Sequence, residues 1–296
     1  ATTGIYTLSL HDALPISFCP MPCFDLHTHS TASDGTLAPA ALMQQAAQAG
    51  VQVIALTDHD TTAGLADAQN AADQLDLTLI PGVEISASWR DCTLHIVGLQ
   101  ITVDHPTLQQ GLTRLATART ERARQISQQL HAAGITGDWY TATQQFGQSI
   151  GRPHFARALV AAGHATTVPE AFKKFLQPGK AGYVPGTWAS LAEVVHWIQA
   201  AGGQAVLAHP ARYRLKQRRL RQLLEAFVTA RGTGIEVIAG NASAEETRVL
   251  AHLARDYHLL ASVGSDYHGP GLSARSLGVL PALPTGCTPV WQHWPS

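Results

Sequence analysis

Histidine and carboxylate residues recur in this sequence at the ends of short apolar runs. His27 and His29 follow Phe24, and because side chains alternate along a strand, the two imidazoles project from one face and can bind one metal ion. Six imidazoles and three carboxylates without a thiolate suit Mn²⁺, Fe²⁺ or Zn²⁺, and argue against Ca²⁺ alone or an all-sulfur structural zinc. The set predicts a hydrolytic metal centre. Its other members are Asp34, His59, Glu84, His95, His209, Asp266 and His268.

Nine ligands are too many for one ion, which seldom takes more than about six. Two or three ions need bridging groups, and the Glu84 carboxylate has two oxygens to share. Clustered ions lower the pKa of a bridging water and hold the attacking and leaving oxygens of an in-line displacement. We therefore expect a metal-activated bridging water as the catalytic group, with no nucleophile from the protein.

Parallel strands would bring these residues together. Apolar runs predict strands at 24–26, 51–56, 78–81, 204–208, 234–238 and 259–263, with helices between them. Pro39 and Gly50 bracket the first helix, as expected for a proline at the start and a glycine past the end. This β-α-β rhythm predicts a parallel sheet with right-handed crossovers, whose strands all end at one mouth. A further strand from Cys92 to Leu99 would carry His95.

The periodicity changes between about Asp104 and Tyr183. Leu112, Leu115 and Ile126 recur at helical spacing, so we predict a helical insertion over the barrel mouth. The predicted organisation is a first barrel part at 21–103, the insertion at 104–187 and a second barrel part at 188–296. Residues 1–20 look like a translated sequencing-library adaptor. We expect them to be artefactual or a disordered leader, with the natural protein starting near residue 21.

Charge is segregated along the chain, although the net charge is only −1. Between His105 and Arg231 there are 16 basic and 5 acidic residues, against 4 and 16 elsewhere. Such a surplus would attract a polyanion. The arginines at 114–124 could equally form an ordinary solvated helix face. The run from Arg212 to Arg221 is less easily explained in that way.

Other features restrict the class of protein. No run of about eighteen apolar residues exists, so nothing is expected to span a membrane. The four cysteines form no C-x-x-C pair and an export signal is not evident, which favours reduced thiols in a cytoplasmic enzyme. Nothing in the sequence points to an obligate protein partner.

The order of the motifs resembles the polymerase and histidinol phosphatase (PHP) family of metal-dependent phosphoesterases. The resemblance runs from about residue 21 to the end, and it implies an α/β fold, a distorted parallel (β/α)7-type barrel. Gly151-Arg152-Pro153-His154 and His209-Pro210-Ala211-Arg212-Tyr213 resemble the branch that acts on nucleoside 3′,5′-bisphosphates, some members of which, of the RNase AM type, also trim RNA from its 5′ end. The matching motifs are Asp25-Leu26-His27-Thr28-His29-Ser30, Asp34-Gly35-Thr36, Thr57-Asp58-His59-Asp60, Gly82-Val83-Glu84, His95, His209-Pro210 and Gly264-Ser265-Asp266-Tyr267-His268.

The resemblance also implies how the ligands divide among three ions, usually of manganese. His27, His29, Glu84 and Asp266 would hold one ion. Asp34, His59 and His268 would hold a second, and Glu84, His95 and His209 a third. Asp58 and Asp60 flank His59, where either could orient an imidazole or cap the following helix. Glu236, on a predicted strand, is not required by the family pattern.

Phosphate recognition needs cations away from the ions. Arg152 and Arg212 are the best candidates, because guanidinium groups bind phosphate in a planar, two-pronged fashion. His154, Lys180 and Asn241 are weaker candidates.

The favoured function is removal of the 3′-phosphate from a nucleoside 3′,5′-bisphosphate, with a 5′→3′ exoribonuclease activity on short 5′-phosphorylated RNA at the same centre. Three alternatives remain. Histidinol phosphatase is disfavoured by the basic insertion. An amidohydrolase-type C–N hydrolase normally needs a metal-bridging lysine, and no lysine precedes Lys173. A non-catalytic metal-binding module is disfavoured because no ligand position is lost.

Overall fold

The computed structural model describes residues 23–240, 242–292 and 294. The predicted leader and Asn241 lie outside the described residues. One sheet in the described part has the strand order β1-β2-β3-β4-β6-β7-β8, with a short β5 beside β3. The strands are β1 (Phe24–Thr28), β2 (Val53–Leu56), β3 (Thr78–Trp89), β4 (Cys92–Leu99), β5 (Ala189–Ser190), β6 (Gln204–Leu207), β7 (Gly234–Ile238) and β8 (Leu260–Val263).

The sheet is an almost closed barrel, which confirms the predicted α/β barrel class. The first and last strands approach each other at the mouth, where His29 N donates to Tyr267 O over 2.8 Å and Asp266 N donates to His27 O over 2.9 Å. At the other end, the Phe24 ring stacks on Trp291 with 4.1 Å between ring centroids. These contacts hold β1 against the segments that follow β8.

One strand departs from the predicted parallel arrangement. Strand β4 runs antiparallel to both β3 and β6, whereas the pairs β1–β2, β2–β3, β6–β7 and β7–β8 are parallel. Only Arg90 and Asp91 connect β3 to β4, and a connection this short can only form a hairpin. His95 therefore pairs with Ser86 across the hairpin and does not sit at the C-terminal end of a parallel strand.

Nine α-helices surround the described part of the sheet. Helix α1 begins at Pro39 and is followed by Gly50 with a φ of 79°, as the sequence predicted. The helices are α1 (Pro39–Gln48), α2 (Leu65–Ala72), α3 (Pro106–Ala132), α4 (Trp139–Gln144), α5 (Arg152–Ala161), α6 (Val168–Ala171), α7 (Leu191–Ala200), α8 (Gln217–Thr229) and α9 (Ala244–Asp256). A π-helical turn at Phe172–Leu176 and a 3₁₀ turn at Pro210–Tyr213 complete the described elements.

Helix α3 connects two hydrophobic cores. Its first half packs Leu108 and Leu112 into the barrel core, while its second half packs Ile126 and Leu130 into a separate core with α4, α5 and α6. Helices α4, α5 and α6 are therefore joined to the barrel by α3, a continuous helix of 27 residues. No helix in the described ranges is both long and apolar enough to cross a membrane.

Candidate metal centre

All nine predicted ligand residues converge at the mouth of the barrel. Strand β1 and the segment after β8 contribute pairs of residues two apart, and the ends of β2 and β6 contribute one histidine each. The hairpin of β3 and β4 contributes the remaining histidine and glutamate, and the loop after β1 supplies an aspartate. The residues are His27, His29, Asp34, His59, Glu84, His95, His209, Asp266 and His268.

Glu84 lies at the centre of this cluster and is completely buried. Its Oε1 atom lies 2.8 Å from His209 Nε2 and 3.0 Å from His95 Nδ1. Its Oε2 atom lies 2.9 Å from His59 Nδ1 and 3.3 Å from His27 Nε2. The two oxygens thus face different groups of imidazoles, as a bridging carboxylate requires.

The donor atoms fit divalent metal ions. Buried ligand atoms without a hydrogen-bond partner include His29 Nδ1, His59 Nδ1, His95 Nδ1, His209 Nδ1 and Glu84 Oε2. Unpaired buried polar atoms are costly, and their concentration among these residues is typical of a metal site. Donor atoms within 4.8 Å of one another form three groups: His29, Asp34, His59 and His268; His27, His29 and Glu84; His59, Glu84 and His95.

These groups overlap with the three sets that the family resemblance implies, but they are not identical. His29 belongs to two of them, and His59 lies with Glu84 and His95 as well as with Asp34. Asp266 Oδ1 lies 3.3 Å from His29 Nε2 and 3.5 Å from His27 Nε2, beside the group that includes Glu84. The arrangement can hold more than one ion through shared residues.

The carboxylates of the cluster are ionised. Burial alone would raise the pKa of Glu84, but His59, His95 and His27 hold it well below its usual value. The pKa of Asp34 is likewise held well below its usual value, against burial, by His59 and His268. The centre therefore offers permanent negative charge to cations.

The pKa values of two imidazoles in the cluster are shifted in opposite directions. Burial, together with the neighbouring His268 and His59, lowers the pKa of His29 to about 3, so this imidazole is neutral and ready to coordinate. In contrast, Asp34 and Asp266 outweigh burial and raise the pKa of His268 to about 9. A metal ion bound by His268 must therefore displace a proton at neutral pH.

Unusual backbone positions aim two of the ligands at the centre. His209 has a φ of 28° and Asp266 a φ of 54°, both in the left-handed region that costs a residue with a side chain about 1–3 kcal/mol. His209 lies two residues after β6 and Asp266 three residues after β8. Gly264 allows β8 to approach β1, because a Cβ atom at this position would lie 2.3 Å from His27 Cβ.

Glu236 is a component of the site that sequence reasoning missed. It is buried on β7, where Oε1 lies 2.6 Å from His27 Nδ1 and Oε2 accepts a hydrogen bond of 2.5 Å from His209 N. A carboxylate on the outer nitrogen of a ligand histidine fixes the tautomer and directs Nε2 towards the metal. The available signal was a single acidic residue within an otherwise apolar strand, since an unpaired buried glutamate is rare.

Replacing Glu236 by glutamine is expected to lower metal affinity or turnover by about 10- to 100-fold, because His27 loses the carboxylate that orients it. Metal titration followed by activity measurement will test this. Glu225→Gln on the exposed face of α8 is the matched control and should behave as wild type. Unchanged metal affinity and turnover in the Glu236 variant would show that the residue serves only the packing of β7.

Asp58 and Asp60 do not have the roles that the sequence suggested. Asp58 accepts hydrogen bonds from Ser30 N at 2.8 Å and from Ser33 Oγ at 2.6 Å, so it shapes the loop that carries Asp34. Asp60 accepts from Ser86 N and from Arg119 Nε, each at 2.6 Å. Neither carboxylate contacts an imidazole, and neither caps α2, whose N-cap is Gly64. The prediction was wrong because the β2–α2 loop turns both side chains towards neighbouring loops.

A cleft of about 170 Å³ opens beside the cluster and contains Arg152. The cleft also reaches Asp34, His59 and His95, and it is lined by Arg119 and Arg122 of α3. Arg119 forms a buried ion pair with Asp60. Within the described ranges, neither Arg152 nor Arg122 has a carboxylate partner. Their positive charges are therefore available to an anionic ligand.

Burial and mutual repulsion make this pair of arginines unusual. The pKa of Arg122 is lowered to about 10, first by burial and then by Arg152 and Arg119. Arg122 Nε donates to Val184 O at 2.9 Å, and Arg152 lies 5.9 Å from the Tyr183 ring. The two guanidinium groups thus line one cleft, and neither has a carboxylate partner in the described residues. Arg122 was not singled out from the sequence, because its helix also resembled a solvated face.

The other substrate candidates occupy different positions. Arg212 lies beside the cluster of predicted ligands, where Nη1 is 2.5 Å from Asp266 Oδ2. His154 is buried; Nδ1 accepts from Gly151 N at 3.0 Å and Nε2 lies 2.9 Å from Ser33 O, so no ring nitrogen remains for a phosphate. Lys180 is exposed in the turn after the π-helical segment. Asn241 lies outside the described residues.

Comparison with known proteins agrees with this geometry. A family model described as the PHP domain matches residues 25–261. The 3′,5′-nucleoside bisphosphate phosphatase of Chromobacterium violaceum is 43% identical over 275 residues, which cover 92% of this chain and 96% of the relative. The 5′-3′ exoribonuclease Rnm of Escherichia coli is 43% identical over 274 residues, covering 92% of this chain and 93% of the relative.

Solved structures show the same similarity. A structure from Chromobacterium violaceum, described as an amidohydrolase with bound sulfate and no metal, has a TM-score of 0.86 and 43% identity, covering 91% of this chain and 94% of that one. A second, from Bifidobacterium adolescentis, has a TM-score of 0.77 and 32% identity, covering 92% and 94%. The family model spans most of the chain, and the relatives match it along nearly their whole length. This chain belongs to the PHP domain family of metal-dependent phosphoesterases.

Proposed function

We propose that this protein hydrolyses the 3′-phosphate of nucleoside 3′,5′-bisphosphates, giving nucleoside 5′-monophosphates. The same centre would release the first nucleotide of short 5′-phosphorylated RNA, because both reactions cleave a phosphate ester at the 3′ oxygen of a 5′-phosphorylated nucleotide. Relatives at 43% identity carry the names of both activities.

One observation carries the proposal: the cleft combines two separate sites for negatively charged groups. The ligand cluster would become one when it holds divalent ions, and the arginine pair Arg122 and Arg152 is the other. A substrate with two phosphates would use both, with the scissile 3′-phosphate at the ligand cluster and the 5′-phosphate between the arginines. A substrate with a single phosphate, such as histidinol phosphate, would leave these two half-buried arginines without a counter-charge.

The nine ligand residues would hold two or three Mn²⁺ ions, with Fe²⁺ or Zn²⁺ as alternatives. When bound, such ions supply an activated water and stabilise negative charge on the phosphoryl oxygens. The protein itself positions the reacting groups. Glu236 fixes His27, Asp58 shapes the loop that carries Asp34, and Arg212 places a positive charge next to Asp266. Arg119 holds Asp60 and so fixes the wall of the cleft.

The test is phosphate release by the purified protein after loading with Mn²⁺. Adenosine 3′,5′-bisphosphate should be hydrolysed to the 5′-monophosphate with a kcat/KM at least about thirty-fold above that of adenosine 3′-monophosphate, because only the first engages the arginine pair. Histidinol phosphate and an N-acyl amino acid test the histidinol phosphatase and amidohydrolase alternatives. Faster hydrolysis of either compound than of the bisphosphate would overturn the proposal.

A further inference from the structure

A run of exposed cations begins three residues after the ligand His209. We define the basic segment as residues 212–218, in which Arg212, Arg214, Lys216 and Arg218 are exposed. Arg212 pairs with Asp266. The other three form no ion pair in the described part of the chain. The next arginines in sequence differ, since Arg219 pairs with Asp91 and Arg221 with Asp256.

The basic segment is fastened to the metal centre at its first residues. The Tyr213 hydroxyl accepts a hydrogen bond from His95 N at 2.9 Å and donates one to Ala208 O at 2.9 Å. The 3₁₀ turn at Pro210–Tyr213 then ends at Arg214, which has a left-handed φ of 49°. The three unpaired cations therefore start at the rim of the ligand cluster and continue onto the first turn of α8.

This position differs from that of the arginine pair. Arg122 and Arg152 border the cluster at Asp34, His59 and His95. The basic segment meets it at the His95 backbone, through Tyr213, and at Asp266, through Arg212, which does not line the cleft of the arginine pair. An RNA strand with its 5′-phosphate between the arginines and its scissile phosphate at the cluster must continue away from both. The basic segment begins at the cluster and offers unpaired positive charge to the part of the RNA that continues beyond the scissile phosphate.

We propose that the basic segment binds the backbone phosphates of RNA on the 3′ side of the scissile bond. The inference rests on the proposed function. It predicts that RNA, but not a nucleoside bisphosphate, contacts the basic segment. A bisphosphate has no nucleotide beyond its 3′-phosphate and cannot reach Arg214, Lys216 or Arg218. Glu245 and Glu246 line the same cleft between α8 and α9 as Arg214. Because these glutamates would repel phosphates, the RNA follows the α8 side of this cleft.

The test is the double variant Arg214→Gln with Arg218→Gln, assayed on adenosine 3′,5′-bisphosphate and on 5′-phosphorylated RNAs of two to six nucleotides. The matched control is Arg231→Gln with Arg255→Gln. Arg231 also has a left-handed φ, of 67°, and Arg255 is an exposed helical arginine. Arg231 lies three residues before β7 and Arg255 five residues before β8, so both lie towards the end of the barrel opposite the mouth.

For a hexanucleotide at about 0.1 M salt, kcat/KM should fall on the order of tenfold, since each lost phosphate contact removes about 0.7 from the slope of log affinity against log salt. The loss should shrink with shorter RNA and vanish for the bisphosphate, and the control should match wild type on every substrate. Equal losses on RNA and bisphosphate, or unchanged cleavage of the hexanucleotide, would overturn the inference. An inactive wild type on bisphosphate would instead count against the proposed function.

Discussion

Replacing Glu84 by glutamine is expected to abolish most of the metal content and to lower turnover by a hundredfold or more, equivalent to roughly 3 kcal/mol of lost stabilisation. Glutamine keeps the shape of the side chain, but one oxygen becomes an NH₂ group that cannot coordinate, and the negative charge disappears. Because the two oxygens of Glu84 face different imidazoles, one change affects more than one ion. Metal analysis of the purified variant, combined with phosphate release, measures both effects.

Asp34→Asn is the comparison for this experiment. Asp34 contacts His59 and His268 at one edge of the cluster, so its loss should reduce the metal content less than the loss of Glu84. Circular dichroism checks that both variants remain folded. Full metal occupancy in the Glu84 variant, or an equal metal loss in the two variants, would contradict a bridging role.

Arg152→Ala is expected to lower kcat/KM for a nucleoside 3′,5′-bisphosphate by about thirty- to a thousand-fold, because a charge-assisted contact to phosphate contributes about 2–4 kcal/mol. Hydrolysis of a nucleoside 3′-monophosphate should change little, since this substrate has no 5′-phosphate. The ratio of the two kcat/KM values is therefore the quantity to measure. Arg122→Ala should shift the ratio in the same direction.

Two controls separate recognition from structure. Lys180→Ala removes an exposed cation from the same region and should leave both substrates unaffected. Arg152→Lys keeps the charge but loses the two-pronged geometry, so an intermediate ratio is expected. Equal losses on both substrates in Arg152→Ala would mean that the residue only holds Phe172 and Tyr183 in place.

Much of the ligand cluster could be predicted from the sequence because most of its residues lie at or just beyond strand ends, whereas Glu84 and His95 lie within β3 and β4. His27-x-His29 and Asp266-x-His268 flank the first and last strands, and a parallel barrel brings those ends together whatever lies between. The helix from Pro39 was likewise readable from its terminal residues. Each of these features depends on a few neighbouring residues.

What the sequence did not reveal depends on tertiary contacts. Glu236 approaches His27 across 209 residues of chain, and its strand gives no sign of which side chain it will meet. Arg122 shares its helix with Arg114, which forms an exposed ion pair with Glu193. Arg122 is half-buried in the cleft and has no such partner, and this difference follows from how the second half of α3 packs. The direction of β4 was missed because a two-residue hairpin connection was not recognised.

The approach of β1 to β8 at the mouth has a consequence for the stability of the whole molecule. His27 and Asp266 belong to opposite ends of the described chain, roughly 240 residues apart, yet His27 Nε2 lies 3.5 Å from Asp266 Oδ1. A bound ion would act as a reversible cross-link that closes a loop of this length. In the chain-entropy model, such a cross-link lowers the entropy of the unfolded chain and stabilises the folded state by about 5 kcal/mol. Removing the ions with a chelator should therefore weaken the contact between β1 and β8 before other parts of the barrel. Faster amide hydrogen exchange in these two strands would report the change. The residues that bind the ions would then also keep the first and last strands of the barrel together.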